Sequence, residues 1–489
     1  MIIAYVQRRF NRILTQKEHD ARMDTENAVK PKKYLFTRDR SYYRDLVTLA
    51  LPVAAQSAIA FLVTFADNLM VSSLGDTAVS GVFFASQINT FMQMFTTGIG
   101  GTIIILSAQY WGKRETQSIK KIVSVGVQFS IIVGLVITAL CAALPRQIMS
   151  LFTKEAAVLD EAAAYLRLVS ISFVFFCLSQ ALIFAMRSVE VTRIGMYVSL
   201  VSLVSNVGLN ALFIYGLDWG VRGAAAATVI SLVLQTALIM VYVLFIDKRL
   251  RLKLSDLLTS DRLLRHDFIK YGIPLVAGEI VWSVNLMGNS IIFGRFFNET
   301  VSTAVSVANT MNTLAYITIS GLATAVGIIT GKTVGAGKIE LMKEYSRTTQ
   351  VIFLGLGLCL GALLTLLNRP FVALYSAMPG NGISAEASRQ AMTMIRVLSV
   401  TIIGSAYQMP CLFGLVKSGG DISFVFKNDT IFVFLVVLPS ALISALLGAP
   451  AWWVFACLKS DQILKCFVAV VKINRYNWMK NLTRSAAKA

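Results

Sequence analysis

The sequence predicts an all-α membrane protein of about twelve transmembrane helices in two pseudo-symmetric six-helix lobes. Three observations carry this reading. Of the 489 residues, 56% are hydrophobic and only 15% charged, whereas soluble domains carry roughly 25% charged residues. The apolar residues fall in stretches of about 20, the length that crosses about 30 Å of hydrocarbon as a helix. Phrases from the first half of the chain also recur in the second. A mean hydropathy of +0.68 excludes a soluble enzyme, a disordered chain and a fibrous repeat.

Residues 1–46 form a basic tail with Arg8, Arg9, Arg12, Lys30, Lys32, Lys33, Arg38 and Arg40. No apolar core with a small-residue cleavage site occurs there, so no signal peptide is expected. Six spans follow, at 47–72, 79–109, 119–143, 161–186, 192–216 and 222–246, and make an N-lobe over 47–246. A basic linker occupies 247–267. The C-lobe, 268–472, holds spans at 268–294, 301–331, 347–367, 387–415, 422–447 and 450–472, and a basic tail covers 473–489. The second and eighth spans are long enough to tilt.

Lysine and arginine set the orientation. Lys113, Arg114, Lys120 and Lys121 follow the second span, Arg187 and Arg193 the fourth, and Lys332, Lys338 and Lys343 the eighth. The 247–267 linker adds Lys248, Arg249, Arg251, Lys253, Arg262 and Arg265, and the C-terminal region Lys465, Lys472, Arg475, Lys480 and Arg484. Linkers after odd-numbered spans are poorer in both residues. The bias places both termini and the basic linkers in the cytoplasm, as expected for a multi-pass protein of the cell membrane, here a bacterial inner membrane. The net charge of +19 is thus a topology signal, not a nucleic-acid footprint, since no aromatic residues accompany a basic groove.

The repeat is visible in single residues. Pro274 follows Pro52 by 222 positions, and Asn289 follows Asp67 by the same offset. Gly335 follows Gly112 by 223, and the phrase MRSVE around Arg187 faces VKSGG around Lys417. Because each half has an even number of spans, their symmetry axis runs along the membrane normal, as in transporters that rock one half against the other.

Cys141, Cys177, Cys359, Cys411, Cys457 and Cys466 mostly lie in apolar stretches without a CxxC, and are expected to be buried free thiols. The two histidines, His19 and His266, lie outside the spans, and no HExxH, P-loop or GxSxG phrase is present. A membrane-embedded enzyme therefore lacks a nucleophile–base pair or metal set, and no cofactor is expected.

Several phrases resemble those of multidrug and toxic compound extrusion (MATE) transporters. LALPVAAQSAIAFLVTFADNLMVSSLG (49–75) resembles the family's first helix, and AQYWGK (108–113) the end of its second. NVGLNALFIYG (206–216) with GVRGAAAATVIS (220–231) resembles its fifth and sixth, and VKSGGDISFVFKND (416–429) the turn into its eleventh. The resemblance covers roughly residues 45–475 and implies a cation-coupled exporter of organic cations, with two lobes around a central cavity.

Asp67 is the sharpest chemical feature, an acid within an apolar run where a charge costs roughly 2.5–3.5 kcal/mol on insertion scales. The resemblance makes it a cation site. Pro52 removes a backbone hydrogen bond in the same helix and permits a bend, whether static or moving. Asn206 and Asn210 share a helix face, and either complete an oxygen cage with Asp67 for a transient Na⁺ or a proton, or join neighbouring helices. Some relatives carry Asp where Asn210 stands, so this site has less negative charge.

Glu279, inside the seventh span, either meets a cationic substrate or pairs locally with Lys or Arg. Asn285 and Asn289 lie on the same helix. Phe91, Met92, Met94, Phe95, Met287, Met311, Tyr316 and Met409 form a set from which a pocket for flat cations is built, or else ordinary packing. Arg187, Glu190, Arg193, Lys417, Asp421 and Asp429 fall near cytoplasmic helix ends, either solvated or paired in an inner gate.

The leading expectation is a monomeric secondary active antiporter that exports small organic cations or drugs in exchange for H⁺ or Na⁺. The alternative is a flippase for lipid-linked precursors, which needs a basic cavity. The sign of the cavity charge separates the two.

Overall fold

The computed structural model describes residues 36–259, 261–377 and 383–484. The residues Arg8, Arg9, Arg12, Lys30, Lys32 and Lys33 lie outside the described residues. The described chain contains helices and no strand. In order they are α1 (Arg40–Val71), α2 (Asp76–Gly112), α3 (Thr116–Ala143), α4 (Pro145–Met149), α5 (Ala156–Val169), α6 (Ser172–Ser188), α7 (Arg193–Asn210) and α8 (Gly220–Val241). The second half has α9 (Arg262–Phe296), α10 (Glu299–Gly335), α11 (Ile339–Ala377), α12 (Ala385–Met409), α13 (Ile422–Ile431), α14 (Leu438–Leu446), α15 (Ala451–Leu458) and α16 (Asp461–Asn474).

Ten of these helical runs are long and apolar enough to cross a membrane, and α5 with α6, bent by 50°, make an eleventh. The twelfth expected span, 450–472, is formed by α15 and α16 with a break at Lys459–Ser460. It carries Lys459, Asp461, Lys465 and Lys472, and neither of its short pieces crosses 30 Å alone.

The internal repeat is structural. Asp39 caps α1 by accepting from Ser41 N, and Asp261 caps α9 by accepting from Leu263 N and Leu264 N. Pro52 and Pro274 sit inside these two helices at equivalent positions. The next helix in each half, α2 and α10, is 37 residues long and ends on the paired glycines Gly112 and Gly335. Those glycines meet. A Cβ at Gly112 would run into the Lys332 carbonyl, and one at Gly335 into the Gln109 carbonyl. Hydrogen in place of a side chain is what lets the helix ends cross so closely.

This crossing lies at the Lys/Arg-rich end of the bundle, here termed the basic end. The hydrogen bonds and ion pairs found between the halves among the described residues cluster there. Tyr42 shares a 2.6 Å hydrogen bond with Thr349, Gln109 Nε2 donates to Ser418 O at 3.3 Å, and Lys332 Nζ meets Glu190 Oε1 at 2.5 Å. The start of α1 belongs to the same seam, with Tyr42, Leu46, Leu49 and Ala50 packed among residues of α10, α11 and α12.

The 247–267 linker is docked rather than loose. Ser124 of α3 donates to Leu257 O and Thr259 O, Lys120 lies 2.9 Å from Asp256, and Lys121 lies 2.9 Å from Asp261. Those lysines hold both carboxyls below their ordinary range. The segment after α16 straps both halves together. Trp478 is fully buried against Gly419, Leu482 N donates to Gln109 Oε1 at 2.7 Å, and Arg484 grips Asp267 through two bonds of 2.6 and 2.8 Å.

Leucines such as Leu354, Leu358, Leu366 and Leu435 are exposed on the outside of the bundle, which in a membrane is contact with lipid. The cysteines are free; Cys141, Cys177 and Cys411 are buried, while Cys359 departs from the expectation and lies exposed on α11.

Candidate functional site

Two polar sites form, one in each half. In the first, α1 brings Asp67 and α7 brings Asn206 and Asn210, one turn apart. Asn210 Nδ2 donates to Asp67 Oδ1 at 2.5 Å and to Asn206 Oδ1 at 3.3 Å. Both asparagines are buried and Asp67 is half-buried. Directly after Asn210 the helix widens into a π-helical turn, Ala211–Gly216, a local distortion common at functional sites.

The three expected coupling residues are thus in contact, and the set is incompletely satisfied. Asn206 Nδ2 and Asn210 Oδ1 have no partner among the described residues. As oriented, Asn210 supports an ionised Asp67 by donating to it. Turning the amide over presents an oxygen instead, which suits a protonated carboxyl or a Na⁺. No group of three or more His, Cys, Asp or Glu suited to a metal occurs among the described residues, so any Na⁺ here would rest on one carboxylate and neutral amides.

The second site is a cavity of about 360 Å³ whose charged residues come from the second half. It is lined by α9, α10, α12, α13 and α16 and, from the first half, by Thr97, Gly101, Ile104 and Ile105 of α2 and Phe184 of α6. Five charged residues line it. Glu279 lies 4.0 Å from Lys417, and Lys465 lies 2.9 Å from Asp429 and 3.0 Å from Asp461. Trp282 stacks on Tyr316 with centroids 6.3 Å apart. Lys417 arrives at the end of the π-helical stretch Pro410–Lys417 that follows α12.

Of the expected substrate residues, the structure places Glu279 and Tyr316 in the cavity wall. Met287 is 63% exposed and Asn289 holds a buried, unpartnered Oδ1; neither belongs to that wall. Met409 lines it too, whereas Met92 and Met311 are packed in apolar cores and Phe91 is exposed.

Charges read from the sequence as helix ends and tail divide differently in the fold. Lys417, Asp429 and Lys465 face the cavity, while Glu190 and Asp421 stay at the basic end. The signal for the missed group was present. Asp461 and Lys465 are four apart inside an apolar stretch, and charges there are paired or face water.

The two halves also share a polar device. Arg187, at the end of α6, donates to Gln56 of α1 at 2.7 Å, as Lys417 in the second half approaches Glu279 of α9. Among the described residues Arg187 has no carboxylate partner; it lies over the Phe184 ring and its Nε is unpaired there.

A family model described as MatE matches residues 52–212 and 274–451, so that each matched stretch opens on one of the repeated prolines. The chain belongs to the MATE family. Its members are transporters, not enzymes. Probable multidrug resistance protein YoeA of Bacillus subtilis is 25% identical over 284 residues, a match that spans 56% of this chain and 60% of YoeA. Multidrug resistance protein NorM of Photobacterium profundum is 26% identical over 339 residues, 68% of this chain and 73% of NorM.

Solved MATE structures share the fold. An outward-facing multidrug resistance MATE transporter of the MOP superfamily superimposes with a TM-score of 0.78 at 18% identity, covering 90% of this chain and 99% of its own. A MOP superfamily transporter from Pyrococcus furiosus, described as having a binding pocket of reverse polarity, gives a TM-score of 0.78 at 19% identity over 90% of this chain and 99% of its own. The MATE assignment thus agrees with the helical, two-lobed, multi-pass architecture. The family match ends at residue 451, so α16 and the strap after it lie outside the matched stretches.

Proposed function

We propose that this MATE protein is a secondary active antiporter that exports small organic cations, drugs among them, in exchange for H⁺ or Na⁺. The single observation that carries this reading is the charge of the cavity. Among the residues lining it, Glu279, Asp429 and Asp461 outnumber Lys417 and Lys465, a formal excess of one negative charge. A flippase for lipid-linked pyrophosphates needs the opposite sign, and this cavity supplies no such surplus of cations.

Asp67 is the coupling group in this account. A carboxyl that alternately binds and releases a proton or Na⁺ can link an ion gradient to movement of the substrate. One charge crossing 100 mV is worth about 2.3 kcal/mol, enough for roughly a 50-fold concentration ratio. Coupling further requires that ion and substrate favour different conformations. The seam at the basic end provides one such conformation, in which that end is shut. The Lys/Arg bias makes this end the cytoplasmic one, with both termini in the cytoplasm.

The test is uptake of a fluorescent cation into proteoliposomes with H⁺ and Na⁺ gradients imposed separately. Accumulation driven by one gradient supports the reading and names the ion. Absence of accumulation under both, in vesicles that contain folded protein, overturns it.

A further inference from the structure

We propose that the cluster Asp429–Lys465–Asp461 is the cation-recognition subsite of the second-half cavity, and that it selects protonated amines with N–H donors over quaternary ammonium ions. This rests on the cation-export reading and specifies which cations the cavity prefers.

The break between α15 and α16 sets Asp461 and Lys465 one turn apart on the cavity wall, and α13 brings Asp429 to the same lysine. All three side chains are largely withdrawn from solvent, at 14%, 9% and 7% exposure for Asp429, Asp461 and Lys465. Two carboxylates share one ammonium. Glu279 pairs with Lys417, so among the residues lining the cavity the formal excess of one negative charge falls on this cluster, and Lys459, outside that wall, acts on Asp461 from behind.

The surrounding polar atoms are acceptors without donors. Asn285, Gln408 and Gln462 are each more than nine-tenths buried and line the same cavity, yet Asn285 Oδ1, Gln408 Oε1 and Gln462 Oε1 are unpartnered. Asp429 Oδ1 is held by Lys465 Nζ at 2.9 Å as an ion pair outside good hydrogen-bond alignment, so the orphaned acceptors are the three amide oxygens. A buried acceptor left unmade is costly. A closed structural ion triplet would leave neither surplus charge nor orphaned acceptors beside an open volume.

An ammonium or guanidinium ion supplies both the positive charge and the missing donors, and Lys465 already shows how this site holds a primary ammonium. A quaternary ion supplies charge alone. The stacked Trp282 and Tyr316 offer a face to the flat body of such a ligand.

The test uses the full chain in nanodiscs and two probes of one shape, the naphthylmethyl-methylammonium ion and the naphthylmethyl-trimethylammonium ion, with dissociation constants measured at pH 7. Hydrogen bonds to charged groups predict about tenfold or greater preference for the amine. Asp429→Asn and Asp461→Asn should each weaken the amine about tenfold and the quaternary ion less, while Asp160→Asn, at an exposed surface pair, leaves the preference intact. Equal affinity of the parent protein for the two probes overturns the proposal and leaves cation export standing, and this comparison needs no variant. Equal loss of both probes in the two Asn variants also overturns it. Failure of the parent to bind either probe overturns the proposal together with the cation-export reading.

Discussion

Lys332, on the last turn of α10, reaches across the seam and places its ammonium 2.5 Å from Glu190, at the end of α6. Trp111 Nε1 donates to the other oxygen of the same carboxylate at 3.0 Å, and Arg249 stands 4.0 Å from it. Glu190 adopts a left-handed backbone with φ of 64° just where the chain turns out of α6, which points its side chain at this cluster. One acid thus ties the first half to the second at the closed end. Because Lys332 is 41% exposed, the pair is worth no more than about 1 kcal/mol. Glu190→Gln should therefore loosen the seam without unfolding it. In a cysteine-free background carrying Ser418→Cys, thiol labelling of the buried position 418 should rise about two- to fivefold in the Gln variant. An unchanged rate would show that the seam does not depend on this pair.

The crossing of α2 over α10 is less forgiving. Gly335→Leu puts a side chain where the Gln109 carbonyl lies, so the basic end cannot close as it does here. Transport should be lost while the protein still inserts, and position 418 should label as an open site. Gly355 has open space around its Cα, so Gly355→Ala should keep transport and gain up to about 1 kcal/mol from helix propensity. Full transport by the Leu variant would contradict the closed seam as part of the cycle.

The strap after α16 carries a definite pH dependence. Burial pushes the Asp421 carboxyl up, but hydrogen bonds from Lys472 and Lys480 outweigh it and hold the group below its ordinary value of 3.8. A carboxyl depressed in the folded state contributes stability that is complete above the ordinary value and is lost as the pH falls through the depressed one. The strap should stay docked between about pH 5 and 9 and loosen only in stronger acid. Hydrogen exchange of residues 476–484, corrected for intrinsic rates, measures this. A loosening centred near pH 6 would contradict the assignment.

Orientation is tested by labelling. Leu258 is 80% exposed in the docked linker. In the cysteine-free background, Leu258→Cys should be silent to an impermeant thiol reagent applied to intact cells and reactive in inverted vesicles. Labelling from outside would reverse the proposed topology.

Much of the architecture was legible because its signals are local. Apolar length gave the spans, and the 222-residue offset between Pro52 and Pro274 gave the two halves. The pair Asp67 and Asn210 was legible as well, since a lone acid in an apolar run demands a partner and two amides on one face offer it. The cavity cluster was not. Asp461 and Lys465 share α16, but Asp429 comes from α13, and Lys465 reads as part of a basic flank until α16 is seen turned inward toward Asp429. The exposure of Met287 was equally hidden, because helical periodicity in a membrane protein does not separate a face toward lipid from one toward a pocket.

The account turns on Asp67. Asn keeps the shape of the side chain and fixes it neutral, and removing a buried charge should cost little stability. The decisive measurement is uphill export of a fluorescent cation by equal amounts of parent and Asp67→Asn protein in proteoliposomes, with proton release on substrate addition followed in parallel. The account predicts a folded variant that no longer concentrates the cation and releases no proton. Undiminished uphill export with undiminished proton release would contradict it and move the coupling site elsewhere, with Glu279 next in line.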